Sequence, residues 1–151
     1  MVTLLDPQTY VETPLGINIA NHLRLGVDDI VEPVEGSVCP TADHVAEILA
    51  FHKGWDRSSP LLVHCWAGIS RSTAAALIML SDMHGPGYEL ELAQSLRARA
   101  PHAHPNRLMI RHADEIMSRG GRLIAAVDAM GPPRIVWEGE VVELPVRLEE
   151  L

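Results

Sequence analysis

The sequence predicts an α/β fold, with a mostly parallel central sheet flanked by helices. Two patterns carry this. Short apolar or alternating runs, Val2–Leu5, His22–Val27 and Leu61–His64, recur along the first half of the chain. Stretches with helical periodicity and start signals fall between and after them. A third observation concerns where the chemistry lies. In parallel sheets, sites gather at the carboxyl ends of strands, and the densest run of reactive residues, His64 to Ser72, directly follows Leu61–His64.

The elements follow in order. Val2–Leu5 is a short strand. Residues 7 to 19 are turn-rich, punctuated by Pro7, Pro14 and Gly16. His22–Val27 alternates as a second strand. Residues 28 to 40 form a loop containing Pro33, Gly36 and Pro40. Thr41 suits an N-cap for a helix reaching about His52, with Val45, Ile48 and Leu49 on one face. Leu61–His64 is a buried strand, and a helix runs from about Arg71 to Met83. Glu89–Arg99 and Asn106–Arg119 are two more helices. Leu123–Met130 is a further helical stretch, and Ile135–Leu144 an extended tail. No internal repeat, low-complexity tract or clear linker divides the chain.

The run His64-Cys65-Trp66-Ala67-Gly68-Ile69-Ser70-Arg71-Ser72 places a cysteine and an arginine six positions apart, between a strand and a helix. A thiol is a poor nucleophile until ionised. A helix N-terminus and a nearby guanidinium both favour the thiolate. Residues Trp66 to Arg71 can turn their amides into an anion nest. Gly68 permits a backbone conformation that a side chain hinders. Arg71 can give two parallel hydrogen bonds to two phosphate oxygens. Ser72 can donate to the sulfur, and His64 can orient the cysteine through its backbone. This chemistry points to phosphoryl transfer through a cysteine. The bland alternative is an inert, buried cysteine at a strand end.

The same nine residues resemble the signature loop of cysteine-dependent protein tyrosine phosphatases, most closely the dual-specificity branch. Pro105-Asn106 before an amphipathic helix is similar to a Pro-Asn pair in that branch. The stretches His22-Leu23-Arg24-Leu25, Ser70-Arg71-Ser72-Thr73-Ala74-Ala75-Ala76 and Gly120-Gly121-Arg122 look like small bacterial tyrosine-phosphatase-like proteins. The resemblance covers residues 1–130, expected as a catalytic domain, with 131–151 as a C-terminal extension. It implies a phosphotyrosine protein phosphatase-like fold lacking the usual first strand and helix, or a start upstream of Met1. It also implies a catalytic set of Cys65, Arg71, Ser72 and His64, and a substrate-binding set of Trp66, Ala67, Gly68, Ile69 and Ser70. The family's general acid is an aspartate on a separate upstream loop. Asp29 is the first choice and Asp28 the alternative, with Asp43 and Asp56 weaker. The implied mechanism passes through a cysteinyl-phosphate and requires no metal or other cofactor. The implied partner is a phosphorylated protein or a small phosphomonoester.

Composition bounds the remainder. The 151 residues suit one domain, and 47% hydrophobic content disfavours disorder. No apolar run reaches membrane-spanning length, and the first residues lack a secretory pattern. Two cysteines make no disulfide framework, so a reducing, cytoplasmic setting is expected. Net charge of -8 disfavours nonspecific binding to nucleic acid or an anionic membrane. His102, His104 and His112 lack nearby ligands at metal spacing, although His104 is placed to support the loop. Cys39 reads as a small packing or loop residue, with a protective disulfide to Cys65 as the alternative. Trp55 reads as packing. The Arg97-Ala98-Arg99 run suits a helix C-terminus as well as an acidic substrate.

Overall fold

A computed structural model describes residues 1–150. Strands β1 (Val2–Leu5), β2 (Leu23–Gly26) and β3 (Val63–His64) form one parallel sheet in the order β2-β1-β3. All four β1 residues are buried, as a central parallel strand requires. Val2 pairs with Leu23 on one side and Val63 on the other, and Thr3 pairs with Arg24 and His64. The expected strand from Leu61 is shorter than anticipated. Its partner β1 starts at Val2, so Leu62 contributes only a carbonyl, which accepts the Val2 N–H at 2.8 Å.

The helices are α1 (Ala42–Lys53), α2 (Arg71–His84), α3 (Glu89–Arg99), α4 (Arg107–Ile116) and α5 (Arg122–Asp128). Short 3-10 turns occupy Ile19–Asn21 and Leu148–Glu150. Thr41 caps α1 in a reciprocal box: its hydroxyl accepts the His44 N–H, and the His44 ring accepts the Thr41 N–H. Helix α4 is shorter than the Asn106–Arg119 stretch anticipated. Asn106 is the cap rather than the first turn, and Ser118, at φ +54°, ends the helical path. Asp114 then receives the Gly121 and Leu123 amides at 2.7 and 2.9 Å, starting α5.

Helix α2 lies at the centre, against β1, β3, α1, α3 and α4. Ten of its residues are buried, so it is covered on most sides, as a core helix is. Leu77 and Ile78 meet a core containing Leu4, Ile48, Leu92, Leu96, Met109, Ile110 and Leu123. Each such side chain contributes roughly 1.5–3 kcal/mol through burial. No helix among the described residues is long and apolar enough to cross a membrane.

The tail beyond Met130 lacks helix or strand until Leu148. It does not leave the body. Arg134 N–H donates to Pro101 C=O at 2.8 Å, and Gly139 N–H to Ala67 C=O at 2.7 Å. Val142, Leu144 and Val146 pack on the core, while Ile135, Trp137 and Val141 face solvent.

Candidate active site

Strand β3 delivers His64 and Cys65 to the carboxyl edge of the sheet, and α2 begins at Arg71. The five residues between Cys65 and Arg71 complete a tight turn in which Gly68 adopts φ +67°, a left-handed conformation that favours glycine. The loop carbonyls are held from outside. Cys65 C=O accepts from His64 Nδ1 at 3.2 Å, and Ala67 C=O from Gly139 N–H. Ile69 C=O accepts from His104 N–H at 2.8 Å and from the Thr73 hydroxyl at 2.6 Å. Ser70 C=O accepts from Ala74 and Asn106 amides and from Thr73. A trans peptide points its C=O and the next N–H in opposite directions. Tethering these carbonyls outward therefore turns the amides of Trp66, Gly68, Ser70 and Arg71 toward the inside of the loop, as an anion nest requires.

Cys65 is buried, and its Sγ lies 3.2 Å from Ser72 Oγ. Burial pushes the thiol pKa up, but the Ser72 hydroxyl, the Ser72 and Gly68 amides and the Arg71 charge outweigh it, leaving the pKa below the ordinary thiol value. Arg71 is also buried. Its Nη1 donates to Val27 C=O at 2.7 Å, while Nε has no hydrogen-bond partner among the described residues. A buried guanidinium donor left unpaired is costly.

Asp28 and Asp29 diverge. Asp28 turns away to close its own loop, its carboxylate accepting Val38 N–H at 2.7 Å. Asp29 faces the signature loop, and its Oδ1 accepts from Ser70 Oγ at 2.6 Å and Asn106 Nδ2 at 2.9 Å. Asp43 sits in the first turn of α1, and Asp56 accepts Ser58 N–H. A cleft of about 370 Å³ opens beside the loop, with Asp29, Ala67, Ile69, Ser70, His104 and Asn106 in its walls; Cys65 and Arg71 are not among them. Trp66 is mostly exposed, and its Nε1 donates to Asp6 at 2.9 Å. That bond, ahead of one from Thr9, holds the Asp6 carboxyl below the usual carboxylate range.

The other singled-out residues have local roles. Cys39 and Cys65 are both free thiols. Trp55 Nε1 donates to Ser59 C=O, and a His112 ring nitrogen donates to Pro40 C=O at 3.3 Å. Arg97 donates to three carbonyls, at Met130, Pro101 and Gly131, and Arg99 to Glu150. Both arginines thus bind the tail. His102 is buried against the tail, its ring occupying the space where a side chain at Gly139 would sit. Among the described residues no three His, Cys, Asp or Glu side chains are grouped to hold a metal. Sequence reasoning missed three tethers: Asn106 to Asp29, Asp6 to Trp66, and Gly139 to the loop. The Pro105-Asn106 pair was the one signal that could have revealed the first.

Fold and loop together define an α/β protein with a cysteine and an arginine in a tight turn between a strand and a helix. Over part of its length the chain is similar to dual specificity phosphatases. Dual specificity protein phosphatase 15 of Rattus norvegicus and of Mus musculus are each 34% identical to it over 86 residues. The match covers 56% of this chain and 34% of each relative, so the chain spans about a third of the length of the curated relatives it matches. No family model matches the chain, and no solved structure does.

Proposed function

We propose that this protein is a cysteine-dependent phosphatase that hydrolyses phosphomonoesters on proteins, phosphotyrosine first and phosphoserine or phosphothreonine second. The carrying observation is the buried Cys65 sulfur, 3.2 Å from Ser72 Oγ and held below the ordinary thiol pKa inside a loop with inward amides. The unpaired Nε of buried Arg71 supports the same reading, because a phosphate oxygen would satisfy it.

In this mechanism the Cys65 thiolate attacks phosphorus in line, and the P–O bond to the leaving group breaks as the S–P bond forms. Arg71 and the loop amides hold the equatorial oxygens, where fixed donors stabilise transition-state charge. Asp29 gives its proton to the departing oxygen; its Oδ2 is available because both cleft bonds fall on Oδ1. Water then attacks the cysteinyl-phosphate, with Asp29 taking its proton. Ser72 donates to the returning thiolate, and His64 holds the Cys65 carbonyl. Trp66, Ala67, Gly68, Ile69 and Ser70 frame the phosphate. The resemblance to small bacterial tyrosine-phosphatase-like proteins supports phosphotyrosine. The loop's lack of lysine argues against highly charged substrates, because it leaves no lysine to meet additional phosphates. A thiolate nucleophile needs a reducing compartment such as the cytoplasm.

The test is hydrolysis of an aryl phosphate by wild type, Cys65→Ser and Asp29→Ala. Wild type turns it over, Cys65→Ser is inactive, and Asp29→Ala loses about 10²–10⁴-fold, the usual worth of a general acid. An inactive wild type that still binds phosphopeptide would instead favour a phosphate-reading module.

A further inference from the structure

Behind the signature loop a file of five side chains runs from the protein surface to the nucleophile's own carbonyl. Arg24 Nη2 meets Thr13 Oγ1 at 2.5 Å, and Thr13 Oγ1 meets His22 Nδ1 at 3.1 Å. His22 Nε2 meets Thr3 Oγ1 at 2.8 Å, and Thr3 Oγ1 meets His64 Nε2 at 2.7 Å. His64 Nδ1 meets Cys65 C=O at 3.2 Å. Thr3 and His22 are buried. Sheet register assembles the file: Thr3 of β1 lies opposite both His64 of β3 and Arg24 of β2.

With a neutral His64, the carbonyl end sets the order of the protons along the file. A carbonyl only accepts, so His64 Nδ1 carries hydrogen and, in the neutral ring, Nε2 is a lone pair. The Thr3 hydroxyl must then donate to His64, and its oxygen must accept from His22 Nε2–H. His22 Nδ1 is thereby a lone pair, which the Thr13 hydroxyl fills. The Thr13 oxygen accepts from Arg24, which can only donate. A hydroxyl oxygen can accept two hydrogens, so the Arg24 guanidinium is compatible with this assignment. The assignment requires both imidazoles neutral. Burial first, then the charges of Arg24 and the amino terminus, pushes the His22 pKa down and favours its neutral ring. Arg24 itself is anchored, its Nε donating to Val11 C=O at 2.7 Å over the Tyr10 ring.

We propose that Thr3, His22, Thr13 and Arg24 are positioning residues that lock His64 in its Nδ1–H tautomer and thereby fix the Cys65 carbonyl at the mouth of the loop. This rests on the phosphatase reading for its effect on turnover, but not for its hydrogen-bond order. The substitution Thr3→Val keeps the shape and removes the one hydroxyl that joins the two rings. Thr3→Ser keeps that hydroxyl.

The experiment is nitrogen NMR of the imidazoles in wild type and both variants, alongside hydrolysis of an aryl phosphate. Wild type should show His64 protonated at Nδ1 and His22 at Nε2. Thr3→Val should move His64 toward a tautomeric average and lower kcat about fivefold, the worth of one hydrogen bond. Thr3→Ser should restore both. His64 protonated at Nε2 in wild type would overturn the proposal, even if Thr3→Val failed to fold. An unchanged spectrum and unchanged kcat in Thr3→Val would also overturn it. If no variant, wild type included, hydrolyses the substrate, the phosphatase reading fails while the wild-type tautomers still decide the file.

Discussion

Ser72 decides the state of the thiol beside it. Its hydroxyl is the largest favourable influence on a sulfur that burial would otherwise keep protonated. Ser72→Ala should therefore raise the Cys65 pKa, which the pH profile of iodoacetamide alkylation measures. The sign for folding follows. The folded thiol has the lower pKa, so its contribution to stability is complete above the ordinary thiol pKa and is lost as pH falls through the folded value. Wild type should show this slope in unfolding experiments, and Ser72→Ala should flatten it. The loop itself was legible because its chemistry is contiguous: strand, Cys65, Gly68, Arg71 and helix lie within a dozen residues. The file behind it was not. Thr3, Thr13, His22 and Arg24 acquire meaning only through sheet register, which no local pattern contains.

Two connections between elements bear on the site. Asn106 caps α4 by accepting the Leu108 and Met109 amides at 3.1 Å, while its Nδ2 donates to Asp29 and Ile30. The cap and the carboxylate tether are separable. Asn106→Ala should lose about 1–2 kcal/mol of stability with the cap, whereas Asn106→Ser should keep most of that stability. Both should reduce turnover, because both lose the amide bond to Asp29, and thermal unfolding beside hydrolysis rates reads the difference. The second connection is the tail. A Cβ at Gly139 would stand 2.4 Å from His102 Nε2 and 3.1 Å from Gly68 C=O. His102 is buried. Gly139→Ala should lift the tail from the loop, expose the Gly139 amide to hydrogen exchange and lower turnover; unchanged exchange would show that His102 yields instead. The helices were legible from caps and periodicity, and α3 matches its expected span. The tail's course was not, because Ile135–Leu144 has no period and its tie to the loop, Gly139 to Ala67, is a backbone bond.

Across the whole molecule, the chemistry and a second polar cluster occupy opposite ends of α2. Glu89 is buried with Arg119, whose Nη2 donates to Ser81 C=O near the end of that helix. Arg122 adds a bond to the same carboxylate at 3.4 Å. A helix of 14 residues separates its ends by about 20 Å. Breaking a buried pair leaves an uncompensated charge and costs about 3–5 kcal/mol. Glu89→Ala should thus lower thermal stability sharply while leaving turnover per folded molecule unchanged, as denaturation and activity assays together would show. The α/β class and the parallel sheet were both legible from strands alternating with helices. The extent of the sheet was less so, because β3 is trimmed by where β1 begins.

The central claim is that phosphorus passes through Cys65. Rapid acid quench of the protein with a radiolabelled phosphotyrosine peptide, followed by mapping of the label, tests it most directly. Label on the Cys65 segment, absent in Cys65→Ser and longer-lived in Ser72→Ala, is the predicted result. Release of phosphate with no labelled protein, or label on a different residue, would contradict it.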